Sequence, residues 1–118
     1  MTRIAIAGAS GRMGRNLIVA VHETDGMVLS QALCRQSSSV AGSDSGILAG
    51  IGENNILLTD QIDASQFDVL IDFTLPEATR ENLKYCLEHK KALVIGTTGC
   101  DSQLQQAMQM AGEHIALV

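Results

Sequence analysis

The chain has 118 residues, 46% of them hydrophobic and 3% aromatic, and its formal net charge at pH 7 is −5. This length suits one domain and is too short for two. The chain has no basic block that would favour nucleic acid or an anionic membrane as a partner, and no apolar run is long enough for a transmembrane span.

The three cysteines, Cys34, Cys86 and Cys100, form no CxxC pair and do not have the spacing of metal ligands. They are therefore expected to be free thiols in a reducing compartment. Because the amino-terminal apolar run is too short for a signal peptide, the sequence predicts a cytoplasmic protein, and it predicts no metal site.

The chain begins with a strand–turn–helix pattern. Residues 4–7 are an apolar run that predicts a buried strand, and residues 8–14 are a glycine-rich turn. Apolar residues then recur at helical spacing to about Thr24, and Asp25-Gly26 predicts the end of the helix. Residues 28–33 predict a second strand.

The glycine-rich turn is the main functional signal, because Gly8, Gly11 and Gly14 lie between a predicted strand and a predicted helix. The first glycine permits the tight turn, the second lets a pyrophosphate approach the backbone, and the third lets helix and strand pack closely. N–H groups at the helix start would face the phosphates. The alternative is a tight turn without a ligand. The predicted pyrophosphate-binding residues are Gly8, Ala9, Ser10, Gly11, Arg12, Met13 and Gly14.

A second diagnostic position lies at the end of the second strand, where NAD-preferring sites carry Asp or Glu to bind the ribose 2′-OH. Here Cys34 cannot accept that hydrogen bond, and Arg35 follows it. A guanidinium suits the 2′-phosphate of NADP. The sequence therefore predicts NADP(H) as the preferred cofactor and NAD(H) as a second one. In the alternatives, Arg35 is a solvated surface residue and Cys34 a small residue at the edge of the core.

The middle of the chain is less regular. Residues 36–52 are rich in Ser and Gly and predict a mobile loop with a short helical turn. Residues 56–58 predict a short third strand and residues 67–73 a central strand. Pro76 then suits the first turn of a helix.

Residues 92–95 predict another buried strand, which ends at Gly96-Thr97-Thr98-Gly99. In open α/β sheets, ligands bind at the carboxyl ends of the strands. We therefore expect Gly96, Thr97 and Thr98 to bind a nicotinamide carboxamide, and Asp72-Phe73-Thr74 to border the same cleft. The alternatives are turns that only start the next helices.

The last part of the chain predicts a helix and a strand. Ser102 and Gln105 have the spacing of a capping box before an amphipathic helix over residues 104–111. Residues 115–118 predict a strand at which the chain stops. Because native termini usually lie in polar, exposed segments, this ending predicts a fragment or an isolated domain.

Strands that alternate with helices predict an α/β fold over residues 1–118, a Rossmann-type doubly wound, mostly parallel sheet with helices on both faces. No acid–base constellation accompanies it, so no catalytic residue is expected in this chain. Several titratable residues are interpreted as solvated helix residues or as structural carboxylates: His22, His89, His114, Asp68 and Asp72.

Four segments, residues 4–14, 42–46, 67–74 and 94–99, resemble the dihydrodipicolinate reductase family, also called 4-hydroxy-tetrahydrodipicolinate reductase. Gly-Arg-Met-Gly, Asp-Phe-Thr and Gly-Thr-Thr-Gly occur in this order, and the resemblance spans essentially the whole chain. The chain departs from the family pattern where other residues are frequent: at Ser10, Cys34 and Leu75.

The resemblance implies hydride transfer from NAD(P)H to a dipicolinate-type precursor in the diaminopimelate route to lysine. It implies that Gly8 to Met13 bind the pyrophosphate, Arg35 the 2′-phosphate and Gly96 to Thr98 the nicotinamide side. It also implies a second domain beyond Val118, which carries the catalytic His-His pair and Lys, binds substrate and builds a homotetramer. This chain alone would then be an inactive monomer.

Two alternatives stay open. One is a non-catalytic NAD(P)-binding regulatory domain, such as a redox sensor, and the other is the cofactor domain of a homoserine or semialdehyde dehydrogenase. The encoded residues after Val118 would distinguish them.

Overall fold

The computed structural model describes residues 1–97 and 99–118. Its strands are β1 (Thr2–Ala7), β2 (Met27–Leu33), β3 (Leu58–Thr59), β4 (Val69–Asp72) and β5 (Ala92–Ile95). Its helices are α1 (Arg12–Glu23), α2 (Ser45–Ala49), α3 (Pro76–His89) and α4 (Ser102–Ala111), and a 3-10 turn covers Ala64–Gln66. The strands pair in parallel in the order β3-β2-β1-β4-β5.

Two hydrophobic clusters cover the two faces of the sheet. Ile4 and Ile6 of β1 pack with Ile18 of α1, and the side chains of α2 join this cluster. The intervening residues of β1 belong to the other cluster, which contains Leu83 of α3 and Leu104 of α4. Successive side chains of a strand point to opposite faces, so β1 contributes to both clusters. The predicted α/β sheet with helices on both faces is confirmed.

The strand order defines the place where a ligand can bind. From β1 the chain moves to β2 and β3 on one side, then crosses to β4 and β5 on the other side. The reversal lies between β1 and β4, and open parallel sheets bind ligands outside the carboxyl ends of the strands at such a point. We call this side of the molecule the carboxyl edge. It is formed by the loops after β1, β2, β4 and β5.

The carboxyl-terminal residues lie beside β5, but the strand predicted over residues 115–118 is reduced to an isolated bridge. Leu117 pairs in parallel with Leu93. The N–H of Val118 donates to the carbonyl of Leu93 at 3.1 Å, and the N–H of Leu93 donates to the carbonyl of Ala116 at 3.0 Å.

The third strand was predicted at residues 56–58 but covers Leu58–Thr59. The residues before it contact the start of α2 instead. The N–H of Ser45 donates to the carbonyl of Ile56 at 2.9 Å, and Asp44 forms an isolated antiparallel β-bridge with Leu57. The predicted helical turn within residues 36–52 is confirmed as α2. The central strand, predicted over residues 67–73, is confined to β4.

The predicted capping box at Ser102 and Gln105 is wrong. The N-cap of α4 is Asp101, whose carboxylate accepts the N–H of Leu104 at 2.8 Å. Gln105 donates its side-chain amide to the carbonyl of Cys100 at 3.1 Å instead of binding back to the cap. Both Asp and Ser are good N-caps, and here the carboxylate one residue earlier occupies the position.

The longest helix in the described part of the chain is α3, with 14 residues. None of the helices described there combines the length and the hydropathy that crossing a bilayer requires.

Candidate functional site

The turn after β1 packs tightly against the loop after β4. Gly8 has φ +82°, a conformation that L side chains rarely adopt, and a Cβ there would lie 2.6 Å from the carbonyl oxygen of Phe73. A Cβ on Gly14 would collide with the backbone of Gly8 and Ala9. The fold itself therefore requires glycine at the first and third positions of the GxxGxxG pattern.

The middle glycine is different. Gly11 has φ −75°, which any residue adopts, and a Cβ there would meet only the carbonyl oxygen of Gly8 at 3.4 Å. Gly11 is also the N-cap of α1, where no side chain caps the helix. The first N–H groups of a helix have no intrahelical acceptor, so this helix start presents donors at the carboxyl edge. The described neighbours give no packing reason for a glycine at position 11.

The end of β2 lies beside this turn, because β2 pairs with β1. Cys34 is half-buried against the cluster of α1, and burial raises the pKa of its thiol. Arg35 is exposed, and among residues 1–97 and 99–118 its guanidinium makes no ion pair. Arg12 at the first position of α1 is likewise exposed and outside the ion pairs of the described residues. The carboxyl edge therefore carries two guanidinium groups that are available to an anion.

The loops after β4 and β5 contact each other on the opposite side of the turn. The N–H of Gly96 donates to the carbonyl of Asp72 at 2.8 Å. The ring of Phe73 lies against Gly96 so closely that a Cβ on Gly96 would collide with it. Gly96, which the sequence singled out as a ligand-binding residue, thus has a structural reason to be glycine. Sequence reasoning missed this contact, and the pattern contains no signal for it.

Thr97 has its hydroxyl inside the fold. Its Oγ1 lies 2.6 Å from the hydroxyl oxygen of Thr79 on α3. The hydroxyl that the sequence assigns to a carboxamide is therefore engaged with the protein, which leaves the backbone of this segment for a ligand. Thr98, predicted to act with it, lies outside the described residues.

With the exception of position 98, the structure thus brings the residues that were predicted to bind the cofactor to one edge of the sheet. The glycine turn lies in the middle, Cys34 and Arg35 lie on the β2 side, and Gly96 and Thr97 lie on the β5 side. This arrangement suits an elongated anionic ligand that crosses the ends of the strands.

A surface depression of about 480 Å³ lies elsewhere, between β2, β3 and the 3-10 turn. Its lining contains one acidic residue, Asp63, and no Lys or Arg. A depression of this volume would by itself suggest a binding site. Because phosphate groups require cations or exposed N–H donors, the carboxyl edge suits an anionic ligand better.

Comparison with known proteins gives a consistent result. The family model described as "Dihydrodipicolinate reductase, N-terminus" matches residues 2–118. A 4-hydroxy-tetrahydrodipicolinate reductase from Pseudoalteromonas atlantica is 50% identical over 120 residues, which cover 100% of this chain and 45% of the relative. The chain therefore spans less than half the length of that relative.

Solved structures agree in fold. A dipicolinate-bound dihydrodipicolinate reductase from Paenisporosarcina sp. TG-14 has a TM-score of 0.68 and 29% identity, over 93% of this chain and 43% of that one. A putative myo-inositol dehydrogenase from Sinorhizobium meliloti has a TM-score of 0.73 and 16% identity, over 99% of this chain and 35% of that one. The second likeness shows the fold alone. The family match and the 50% identity together show that this chain belongs to the dihydrodipicolinate reductase family, as its N-terminal nucleotide-binding part.

Proposed function

We propose that this chain is the NADP(H)-binding half of a reductase that transfers hydride to a dipicolinate-type precursor, in the diaminopimelate route to lysine. The observation that carries the proposal is Gly11, which is glycine at the carboxyl edge although its described surroundings leave room for a side chain. A tight turn without a ligand accounts for Gly8 and Gly14 but not for Gly11. A pyrophosphate lying against the backbone accounts for all three.

The residues of this edge fit such a cofactor in three parts. The N–H groups at the start of α1, with the adjacent Arg12, would hold the pyrophosphate. Arg35 would bind the 2′-phosphate, and the backbone of Gly96 and Thr97, together with Thr98, would receive the nicotinamide. When bound, the cofactor supplies the hydride, and the chain's own residues fix the ring at the β4–β5 side of the cleft.

The substrate class rests on the relatives. The Paenisporosarcina structure is described as bound to dipicolinate, and the Pseudoalteromonas relative is named a 4-hydroxy-tetrahydrodipicolinate reductase. Likeness to semialdehyde dehydrogenases at 16% and 13% identity concerns the fold and does not favour that alternative. The homotetramer of the full-length protein, and a monomeric state for this chain, stay predictions.

We also infer that this chain alone does not turn over substrate. His22, His89 and His114 are exposed and lie at or just beyond the ends of helices that start at the carboxyl edge. They therefore lie at the opposite side of the sheet from the glycine turn. General acid–base catalysis contributes roughly 10²- to 10⁴-fold to a rate. With NADPH and the dipicolinate-type precursor, no decrease in cofactor absorbance is expected above the uncatalysed rate, and turnover like that of a full-length relative would contradict the inference.

The experiment on Gly11 tests the proposal. We expect Gly11→Val to abolish NADPH binding in calorimetry, because its side chain would occupy the place of the pyrophosphate, while circular dichroism stays that of the wild type. Gly112→Val is the matched control. Gly112 also has an ordinary φ, −61°, and a Cβ there would make only van der Waals contacts at 3.5 Å. Since it follows α4 at the other side of the molecule, NADPH affinity should not change. Equal NADPH affinity of Gly11→Val and wild type would reject the proposed site.

A further inference from the structure

A group of buried and half-buried polar side chains lies under the loops after β4 and β5. We call it the Asp72 cluster, and it consists of Asp72, Thr74, Thr79, Asn82 and Thr97. Asp72 and Thr79 are fully buried. Within the described residues, every buried side-chain nitrogen or oxygen has a hydrogen-bond partner.

Asp72 receives hydrogen bonds on both carboxylate oxygens. Oδ1 accepts the N–H of Thr74 at 2.9 Å and the hydroxyl of Thr74 at 2.6 Å. Oδ2 accepts the side-chain amide of Asn82 at 3.2 Å. The ion pairs of the described residues, Arg3–Asp68 and Arg80–Asp101, do not include it. Burying an acidic side chain is costly unless its oxygens accept hydrogen bonds, so the bonds from Thr74 and Asn82 are what allow Asp72 to lie in the interior.

The same cluster holds the loop after β5. The Thr97 hydroxyl lies 2.6 Å from the Thr79 hydroxyl and 3.5 Å from Oδ1 of Asp72. Thr79 Oγ1 also lies 3.4 Å from Thr74 Oγ1, so it bridges the two loops. The carboxylate of Asp72 and the buried hydroxyl of Thr79 therefore add to two contacts described above in fixing how residues 73–74 and 96–97 lie relative to each other: the hydrogen bond from Gly96 N–H to the Asp72 carbonyl and the packing of Phe73 on Gly96.

We propose that Asp72 is a positioning residue, which holds these two loops in the geometry that receives the nicotinamide half of NADP(H). The inference rests on the proposed function. Asp72 has no exposed surface, so its side chain would act through the loops and not by contact with the cofactor. Its loops follow β4 and β5, whereas Arg35 follows β2 on the other side of the strand reversal. Removing hydrogen bonds from the Asp72 cluster should therefore weaken the binding of the nicotinamide half of the cofactor and leave the binding of the 2′-phosphate half unchanged.

The test compares two ligands. NADPH contains both halves, whereas 2′,5′-ADP contains the adenine and the 2′-phosphate but no nicotinamide. In calorimetric titrations we expect Asp72→Ala and Thr79→Val each to lower the affinity for NADPH about tenfold, since each removes hydrogen bonds that orient the loops. The affinity for 2′,5′-ADP should stay that of the wild type. Thr79→Val preserves side-chain volume and decides the question if Asp72→Ala does not fold.

Asp68→Asn is the matched control, because it changes the carboxylate at the amino side of the same strand, which accepts the N–H of Arg3 at 2.8 Å. It should alter neither affinity. Equal weakening of both ligands in Thr79→Val would indicate a general structural role and overturn the inference, as would unchanged NADPH binding in a folded variant. A wild-type chain that binds neither ligand would instead reject the proposed function, and the inference with it.

Discussion

The end of β2 is the place where we expect single residues to determine cofactor preference. Cys34 is half-buried, and because burial raises the pKa of its thiol, it stays uncharged near neutral pH. A neutral thiol neither repels a 2′-phosphate nor replaces the carboxylate that binds a 2′-OH. Arg35 adds a positive charge next to it. We therefore expect both residues to favour NADPH over NADH.

We expect Arg35→Ala to lower the affinity for NADPH selectively, by about 10- to 150-fold, which is the effect expected from the loss of one charge-assisted hydrogen bond. NADH affinity should hardly change, because NADH lacks the 2′-phosphate. Cys34→Glu should shift the preference toward NADH. Calorimetric titrations with both cofactors measure these changes in affinity. They are made at two salt concentrations, because the net charge of −5 repels NADPH more than NADH and salt screens this repulsion.

Lys84→Ala, which removes an exposed cation on α3, is the control for a general charge effect. If Arg35→Ala weakened both cofactors alike, or if the wild type bound both equally, Arg35 would not recognise the 2′-phosphate.

At single positions, the sequence predicts best where a local pattern is sufficient. The apolar run before Cys34 correctly locates the end of β2, which ends at Leu33. The inward hydroxyl of Thr97 could not be predicted, because its partner Thr79 lies 18 residues earlier and meets it only when α3 packs on the sheet. The same holds for the ring of Phe73 against Gly96.

Among the elements, α4 shows how a local motif can be misread. Ser102 has a glutamine three residues later, the spacing of a capping box, yet Asp101 accepts the N–H of Leu104. The choice between two adjacent capping residues depends on where the loop after β5 ends, and the sequence pattern does not determine that.

Asp101→Ala should destabilise the chain by about 1 kcal/mol, the usual effect of losing an N-cap side chain. Ser102→Ala should have little effect, because Ser102 is already the first helical residue. Asp101→Asn separates the cap from the exposed contact with Arg80, because asparagine still caps but no longer forms an ion pair. Urea unfolding of the three variants measures the differences, and a larger loss in Ser102→Ala than in Asp101→Ala would restore the capping-box interpretation.

The short helix α2 is an element that the sequence predicts without its bounds. Residues 36–52 predict a mobile loop with a short helical turn, and the carboxylate of Asp44 fixes that turn by accepting the N–H groups of Gly46, Ile47, Asn54 and Asn55. These bonds outweigh the effect of desolvation and lower the pKa of Asp44. Aspartate is a favoured N-cap residue, so Asp44 is a local signal that could have located the start of α2.

For the whole molecule, alternation of strands and helices was sufficient to predict a parallel sheet with helices on both faces. It did not predict the order β3-β2-β1-β4-β5, because that order depends on a crossover between distant segments. The order matters for the proposed function, since it brings the glycine turn, Arg35 and Thr97 to one edge. Shape alone would also suggest a ligand site at the surface depression beside β3, but its lining lacks the cations that an anionic ligand requires.

The central claim is that NADP(H) binds along the carboxyl edge, and mapping the amide resonances of this 12.5 kDa chain by NMR during an NADPH titration tests it most directly. We predict saturable shifts in the loops after β1, β2, β4 and β5, that is, in residues 8–14, 34–35, 73–75 and 96–97. The resonances of amides at the opposite side of the sheet, such as those of Gly26 and Asp68, should not shift. Shifts confined to the depression between β2 and β3, or the absence of any saturable shift, would contradict the account.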